Sequence, residues 1–358
     1  VPAAGGARVI AGRYELLSRL GAGGMGEVWR ARHLGLGREV AVKLLAASSA
    51  PMRERLQREA RLLAELRHDA IVQVFDFGQT EAGAPYLVLE LLRGDTLASH
   101  LRREGRLALD HAIELVCQVL EGLEAAHGAG VVHRDVKPDN VILVAGGGGA
   151  PRPKLVDFGI ALGLERDERL TMAGSLVGTP EYMAPEQLRG ERADARVDLW
   201  AVTVMLYELI TGRLPFEPGG SRDLYALATR IVSEPVPFPS DVDELEGALW
   251  TVLTKGLRKD PAHRFQSARE LRLALRAAVP ASLRTTVPEA TASAPTLAPP
   301  SDEASGAPSG PSAPASSPSS SQRAPQGEPS APRTPRPSLQ SDPPPAALDA
   351  MIRARLGS

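Results

Sequence analysis

The segment VVHRDVKPDNVIL packs His133, Arg134, Asp135, Lys137 and Asn140 into eight residues between two apolar stretches. That composition is poor turn filler and suits a reactive loop. Phosphoryl transfer to a hydroxyl needs a carboxylate beside the attacking oxygen, cations on the group in transfer, and oxygen ligands for magnesium. Asp135 fits the first role, Lys137 the second and Asn140 part of the third. Seventeen residues after Asn140, KLVDFGI ends a short apolar run on Asp157. One carboxylate plus one amide suits magnesium, which keeps waters and shares substrate phosphates.

Upstream, GAGGMGEV places Gly21, Gly23 and Gly26 ahead of Val28, and glycines let backbone N–H groups approach phosphate oxygens with no Cβ in the way. A dinucleotide-binding loop shares this spacing, but it opens a helix and is followed about 20 residues later by a ribose-binding acid. Here EVWRARH reads as a second strand, and VAVK puts Lys43 on a third. Only 5 of the 41 basic residues are lysine, at positions 43, 137, 154, 255 and 259. Two given motif positions would both carry lysine by chance roughly one time in eighty, which favours a requirement for a compact ammonium there over drift. Lys43 is expected to hold phosphates. Of Glu54, Glu59 and Glu65 on the helical stretch MRERLQREARLLAELRH, the central Glu59 is the expected partner of Lys43, against the plainer reading of an i, i+4 pair with Arg55.

The elements that must position these residues divide in two. Short β-branched runs (RVIAGRYELLSRL, REVAVKLLA, YLVLEL) fill the front of the chain, and longer helical patterns follow residue 100. At 358 residues and 43% hydrophobic content a substantial core is available. A net charge of −2 and a pI near 6.4 give no basic field, which excludes a nucleic-acid-coating function. Cys117, the single cysteine, sits in an apolar run and reads as a small core residue. No 18-residue apolar run and no signal-peptide pattern occurs, so a soluble, cytoplasmic protein without a membrane span is expected. Composition changes after about residue 280: the last aromatic is Phe265, and 16 of the 31 prolines lie between Pro288 and Pro345. Such a segment buries too little apolar surface to offset chain entropy. It is read as a solvated tail, with a docking arm for unknown partners or autophosphorylation sites (Ser317 and Thr334 each precede a proline) as alternatives.

Together GAGGMGEV, VAVK, HRDVKPDN, DFG and APE, in that order, match the signature set of the eukaryotic-type protein kinases. The resemblance runs from about Tyr14 to Leu275, and its wording (GGMGEVW, APEQ, TGRLPF) is most similar to bacterial members. The lysine two residues after Asp135 looks like the serine/threonine branch. The resemblance implies an α+β, bilobal protein-kinase fold: an antiparallel-sheet N-lobe with one long helix, a mainly helical C-lobe, and a disordered Pro/Ser/Ala-rich tail. The boundaries read 1–12 flexible N-terminus, 13–277 kinase domain (13–92 N-lobe and hinge, 93–277 C-lobe) and 278–358 tail. ATP and Mg²⁺ are the implied cofactors, with Mn²⁺ as an alternative, and proteins are the implied substrates. An adenine slot is implied at Leu20, Val28, Ala41, the gatekeeper Leu89, Glu90 and Leu92 of the hinge, and Ile142 as its floor.

From Asp157 to Glu186 the chain resembles an activation segment, too long for a plain connection. Thr171 and Ser175 are its expected phosphorylation sites, and a buried Arg134 is the expected receiver of the phosphate. Modification in trans implies a transient kinase homodimer. By resemblance, Thr179 hydrogen-bonds the catalytic aspartate and lysine, Glu186 pairs with Arg264, and Asp198 holds the catalytic loop from below. A pseudokinase is disfavoured because Lys43, Asp135 and Asp157 are all present. A small-molecule phosphotransferase is disfavoured by the GTPEYMAPE platform.

Overall fold

The computed structural model describes residues 8–23, 26–45, 50–146, 150–158, 179–217, 224–242, 245 and 247–279. The tail beyond residue 279 and the segment 159–178, with Thr171 and Ser175, lie outside the described residues. So does most of the expected flexible N-terminus.

Alternating apolar residues make the front of the chain a sheet. Strands β1 (Val9–Ile10), β2 (Tyr14–Gly23), β3 (Gly26–His33), β4 (Glu39–Leu45), β5 (Val74–Gln79) and β6 (Pro85–Leu89) lie in the order β1-β2-β3-β4-β6-β5, each neighbouring pair antiparallel. The expected flexible stretch 1–12 is thereby corrected at its end. Val9–Ile10 pair with β2 because Ile10 buries itself beside Tyr14 and Leu16.

The period-2 alternation decides which side chains face the cleft. Val40 and Val42 of β4 pack with Tyr86 and Val88 of β6 on one face. Ala41, Leu45, Leu87 and Leu89 join the main core on the other, where α1 (Ala50–Glu65) contributes Leu56, Ala60 and Leu63. Lys43, between Val42 and Leu44, falls on that second face with Ala41 and Leu45.

The back of the chain is helical: α2 (Leu97–Glu104), α3 (Leu109–Gly128), α4 (Pro185–Leu188), α5 (Arg196–Thr211), α6 (Leu224–Ser233), α7 (Ala248–Gly256) and α8 (Ala268–Ala278). A small antiparallel sheet, β7 (Gly94–Thr96), β8 (Val141–Val144) and β9 (Arg152–Leu155), lies among them. Side-chain caps set the starts of two helices. Thr96 Oγ1 accepts Ser99 N–H at 3.1 Å and Ser267 Oγ accepts Glu270 N–H at 3.1 Å. Gly212 ends α5 in the left-handed region at φ 73°, with Gly105 O so close that any side chain would collide with it. Helix α5 is apolar almost all round and buried on all sides, as a helix at the centre of a lobe must be. It is the post from which Asp198 reaches the HRDVKPDN loop. No helix among the described residues is long and apolar enough to cross a membrane.

Candidate active site

Val131, Val136 and Val141 bury the frame of the HRDVKPDN loop, which leaves its polar residues to face one another. Lys137 Nζ donates to both Asp135 oxygens, at 3.1 and 2.9 Å. Asn140 Nδ2 donates to Asp135 Oδ2 and to its backbone oxygen, each at 2.8 Å. Lys137 Nζ also reaches Thr179 Oγ1 at 3.1 Å. The carboxylate is thus fixed by a cation and an amide, both from within five residues of chain, and Thr179 is tied to it through Lys137.

Support comes from below. Asp198, fully buried at the first turn of α5, accepts His133 N–H at 2.8 Å and Arg134 N–H at 2.7 Å, and lies 2.8 Å from His127 Nε2. These bonds hold Arg134 at φ 65°, a left-handed backbone that a non-glycine residue keeps only where its surroundings enforce it. Burial holds the His133 imidazole below its usual pKa and keeps it neutral. Its Nε2 faces Val156 O at 3.0 Å and its Nδ1 accepts Asp135 N–H at 3.3 Å, which fixes the tautomer with the proton on Nε2. Its ring packs on buried Phe158, centroids 4.4 Å apart, so the loop carrying Asp135 and the segment carrying Asp157 share one support.

Asp157 also has a left-handed backbone, φ 56°. Its Oδ1 lies 2.8 Å from Lys43 Nζ. Here one expectation is corrected: among the described residues Lys43 pairs with Asp157, and the carboxylate of Glu59 lies 3.9 Å from Arg134 Nη1. The β4 face aims Lys43 at Asp157, while Glu59 of α1 comes near Arg134 of the HRDVKPDN loop. Arg134 is partly exposed, at 21%, rather than buried. A recess opens between Lys43, Asp157 and Phe158, walled by Leu63, Val72, Leu87 and Leu89. For a metal ion the donors on hand are the Asp157 carboxylate and the Asn140 amide oxygen, whose segments are joined by Val156 N–H donating to Asn140 O at 3.0 Å. No group of three or more His, Cys, Asp or Glu among the described residues forms a metal cage. This donor pair fits a magnesium-like ion that completes its shell with water and phosphate.

The three glycines of GAGGMGEV differ. A Cβ on Gly21 or Gly23 would meet nothing within 4 Å, whereas one on Gly26, at φ 131°, would lie 1.8 Å from Leu44 O. Gly26 is therefore required by close strand packing as the chain re-enters the sheet. Gly21 and Gly23 keep open space above the cleft, and Leu20 beside them is 53% exposed. Val28 pairs with Lys43 and Ala41 with Leu89 across the sheet. Val28 and Leu92 pack on the main core. Ile142 lies opposite Thr96 and Lys154 in the small sheet.

Farther out, Arg264 and Glu186 form a two-pronged buried pair at 2.7 and 2.6 Å, and Arg264 also donates to Arg258 O and Lys259 O. Tyr182 OH donates to Glu208 Oε2. Burial, reinforced by Asp139 and Glu181, pushes the Glu208 carboxyl up. Sequence reasoning left His127, His133, Tyr182 and Lys154 without roles. Lysine scarcity was a signal for Lys154. Nothing local marked His127, whose partner lies 71 residues away.

The family model described as "Protein kinase domain" matches residues 14–273. The serine/threonine-protein kinase Pkn1 of Myxococcus xanthus is 41% identical over 283 residues, covering 77% of this chain and 40% of that protein. The serine/threonine-protein kinase PknB of Mycobacterium tuberculosis is 38% identical over 270 residues, covering 74% of this chain and 42% of that one. The chain thus spans about 40% of the length of these curated relatives. Among solved structures, the PknI kinase domain of Mycobacterium tuberculosis superposes with a TM-score of 0.59 at 28% identity, covering 78% of this chain and all of that one. With the bilobal architecture and the Asp135, Lys137, Asn140 and Asp157 constellation in place, the chain belongs to the protein kinase domain family.

Proposed function

We propose that the chain is an ATP- and magnesium-dependent protein kinase that transfers the γ-phosphoryl group to serine or threonine hydroxyls of proteins. The observation that carries this reading is the Asp135 carboxylate, held by Lys137 and Asn140 while Lys137 also grips Thr179. Asp135 orients the acceptor hydroxyl and takes up its proton. Lys137 neutralises charge on the group in transfer, and Thr179 keeps the peptide platform in register with that lysine. Lys43 moves from Asp157 to nucleotide phosphates, and Asn140 and Asp157 take the divalent ion, Mg²⁺ or Mn²⁺, which when bound neutralises the β- and γ-phosphates. Relatives named serine/threonine-protein kinases support the choice of acceptor.

The same reading extends to regulation. Thr171 and Ser175 receive phosphate in trans in a transient homodimer, and Arg134, partly exposed beside Glu59, meets the new charge. Proteins are the substrates and the cytoplasm is the proposed compartment. The test is incubation with ATP and Mg²⁺ followed by phosphosite mapping. Phosphate on Thr171, Ser175 or the tail is expected in the wild type, with Asp135→Asn slower by about 10²–10⁴-fold. Nucleotide binding without any transfer would overturn the assignment.

A further inference from the structure

Four of the five lysines have roles that their surroundings explain. Lys43 and Lys137 serve the cleft. Lys255 pairs with Glu270 at 2.7 Å, and Lys259 donates to Ile231 O. The fifth, Lys154, stands on β9 three residues before Asp157. Its Nζ lies 2.8 Å from Glu90 Oε2, and both side chains are largely withdrawn from solvent, at 17% and 31% exposure. Glu90 is the first residue after β6, where the chain leaves the large sheet for the helical lobe. The same Oε2 accepts Gln73 N–H at 3.4 Å, and Glu90 N–H donates to Gln73 O at 2.9 Å.

One carboxylate oxygen therefore joins three segments: the lobe connection at Glu90, the stretch between α1 and β5 at Gln73, and β9 at Lys154. The second and third are also joined through their backbones. Leu155 N–H donates to Ala70 O at 2.8 Å and Val72 N–H to Leu155 O at 2.9 Å. Lys154 lies opposite Ile142 in the β8–β9 ladder, and Ile142 lies opposite Thr96. Residues directly opposite in an antiparallel ladder share a face, so Lys154 extends from the row that floors the proposed nucleotide slot to the connection that follows β6. A partly buried, charge-assisted bond of this kind is directional and little screened by salt.

We propose that Lys154 is a positioning residue for nucleotide binding: through Glu90 it fixes the connection between the lobes relative to the slot floor, and so sets affinity for the adenine nucleotide. The inference rests on the kinase reading above. Cutting the bond lets the Glu90 carboxylate turn to water and frees the connection on the side facing the nucleotide base. It leaves Asp135, Lys137 and Asp157 untouched. The loss falls on binding and spares the transfer step.

The experiment uses the full chain, with ATP kinetics and direct ADP titration side by side. Lys154→Met, which keeps the length of the side chain and removes its charge, is expected to raise KM for ATP and Kd for ADP about fivefold with kcat within about twofold. Glu90→Gln is expected to raise Kd similarly, and the double variant no further, because both cut one bond. Lys154→Arg restores most of the affinity. An unchanged KM and Kd in Lys154→Met, or additive losses in the double variant, overturn the proposal. A wild-type chain that transfers no phosphate removes the kinase reading instead, and the clamp is then decided by the ADP constants alone.

Discussion

Lys43 Nζ sits 2.8 Å from Asp157 Oδ1, so the cation that would meet nucleotide phosphates and the carboxylate that would meet a metal ion hold each other. Neither can do both at once. A nucleotide–metal pair entering the cleft would supply each with a new partner of opposite charge, so the exchange would conserve the number of ion pairs.

Removal of either partner should therefore disable the same step. Lys43→Met and Asp157→Asn are each expected to slow phosphate incorporation by about 10²–10³-fold, the range seen when a fixed charge on a transition state is deleted. The double variant should be little slower than either, since residues acting on one group are not additive. Initial rates at saturating ATP check this. A Lys43→Met protein within tenfold of wild type would sink the assignment of Lys43 to phosphates.

The glycines make a sharper discrimination. Gly26→Ala places a Cβ 1.8 Å from the backbone oxygen of Leu44 at φ 131°, so β3 must shift and thermal stability should fall. Gly21→Ala and Gly23→Ala meet nothing within 4 Å and should leave the melting temperature in place. A weaker ATP affinity in these two then reports contact with phosphate rather than damage to the hairpin. Melting curves and ATP titrations of the three variants separate the two kinds of loss, and equal destabilisation in all three would contradict the distinction.

Glu186 and Arg264 are 3% and 0% exposed and meet at 2.6 Å. Breaking such a pair strands a buried charge, so Arg264→Met should cost about 3–5 kcal/mol in urea unfolding. Glu186→Gln keeps the shape and one acceptor, and should cost less. Equal stability of Arg264→Met and wild type would show that the pair is not what fixes α4 to the loop before α8.

What the sequence made legible follows the range of the forces involved. Alternation along EVAVKLL fixes which face Lys43 takes, because a strand has only two. The HRDVKPDN loop was legible because Asp135, Lys137 and Asn140 meet within six residues of chain. The partner of Lys43 was not, since Glu59 and Asp157 both offer a carboxylate and only the placement of α1 decides between them. The bond from Lys154 to Glu90 spans 64 residues, and no local pattern encodes it beyond the choice of lysine in an arginine-rich chain. The edge strand at Val9–Ile10 is two residues long, too short for periodicity to show.

Lys259 links stability to pH. Burial, aided by the charge of Arg264, pulls its ammonium down to about 7 from the ordinary 10.5. The faces of Phe216 and Trp200, 4.0 and 5.1 Å away, and the carbonyl of Ile231 favour the charged form and moderate the fall. Between these two values the unfolded chain binds a proton that the folded chain does not, so stability rises with pH across that window and is lost as pH falls toward 7. Below about 7 both states carry the charge and the penalty is complete. Lys259→Met should remove this contribution. Its urea midpoint should exceed that of wild type by most near pH 7, with the difference shrinking toward pH 10. Midpoints measured at unit steps of pH decide the matter: parallel curves for the two proteins would mean that Lys259 stays charged in its aromatic setting throughout.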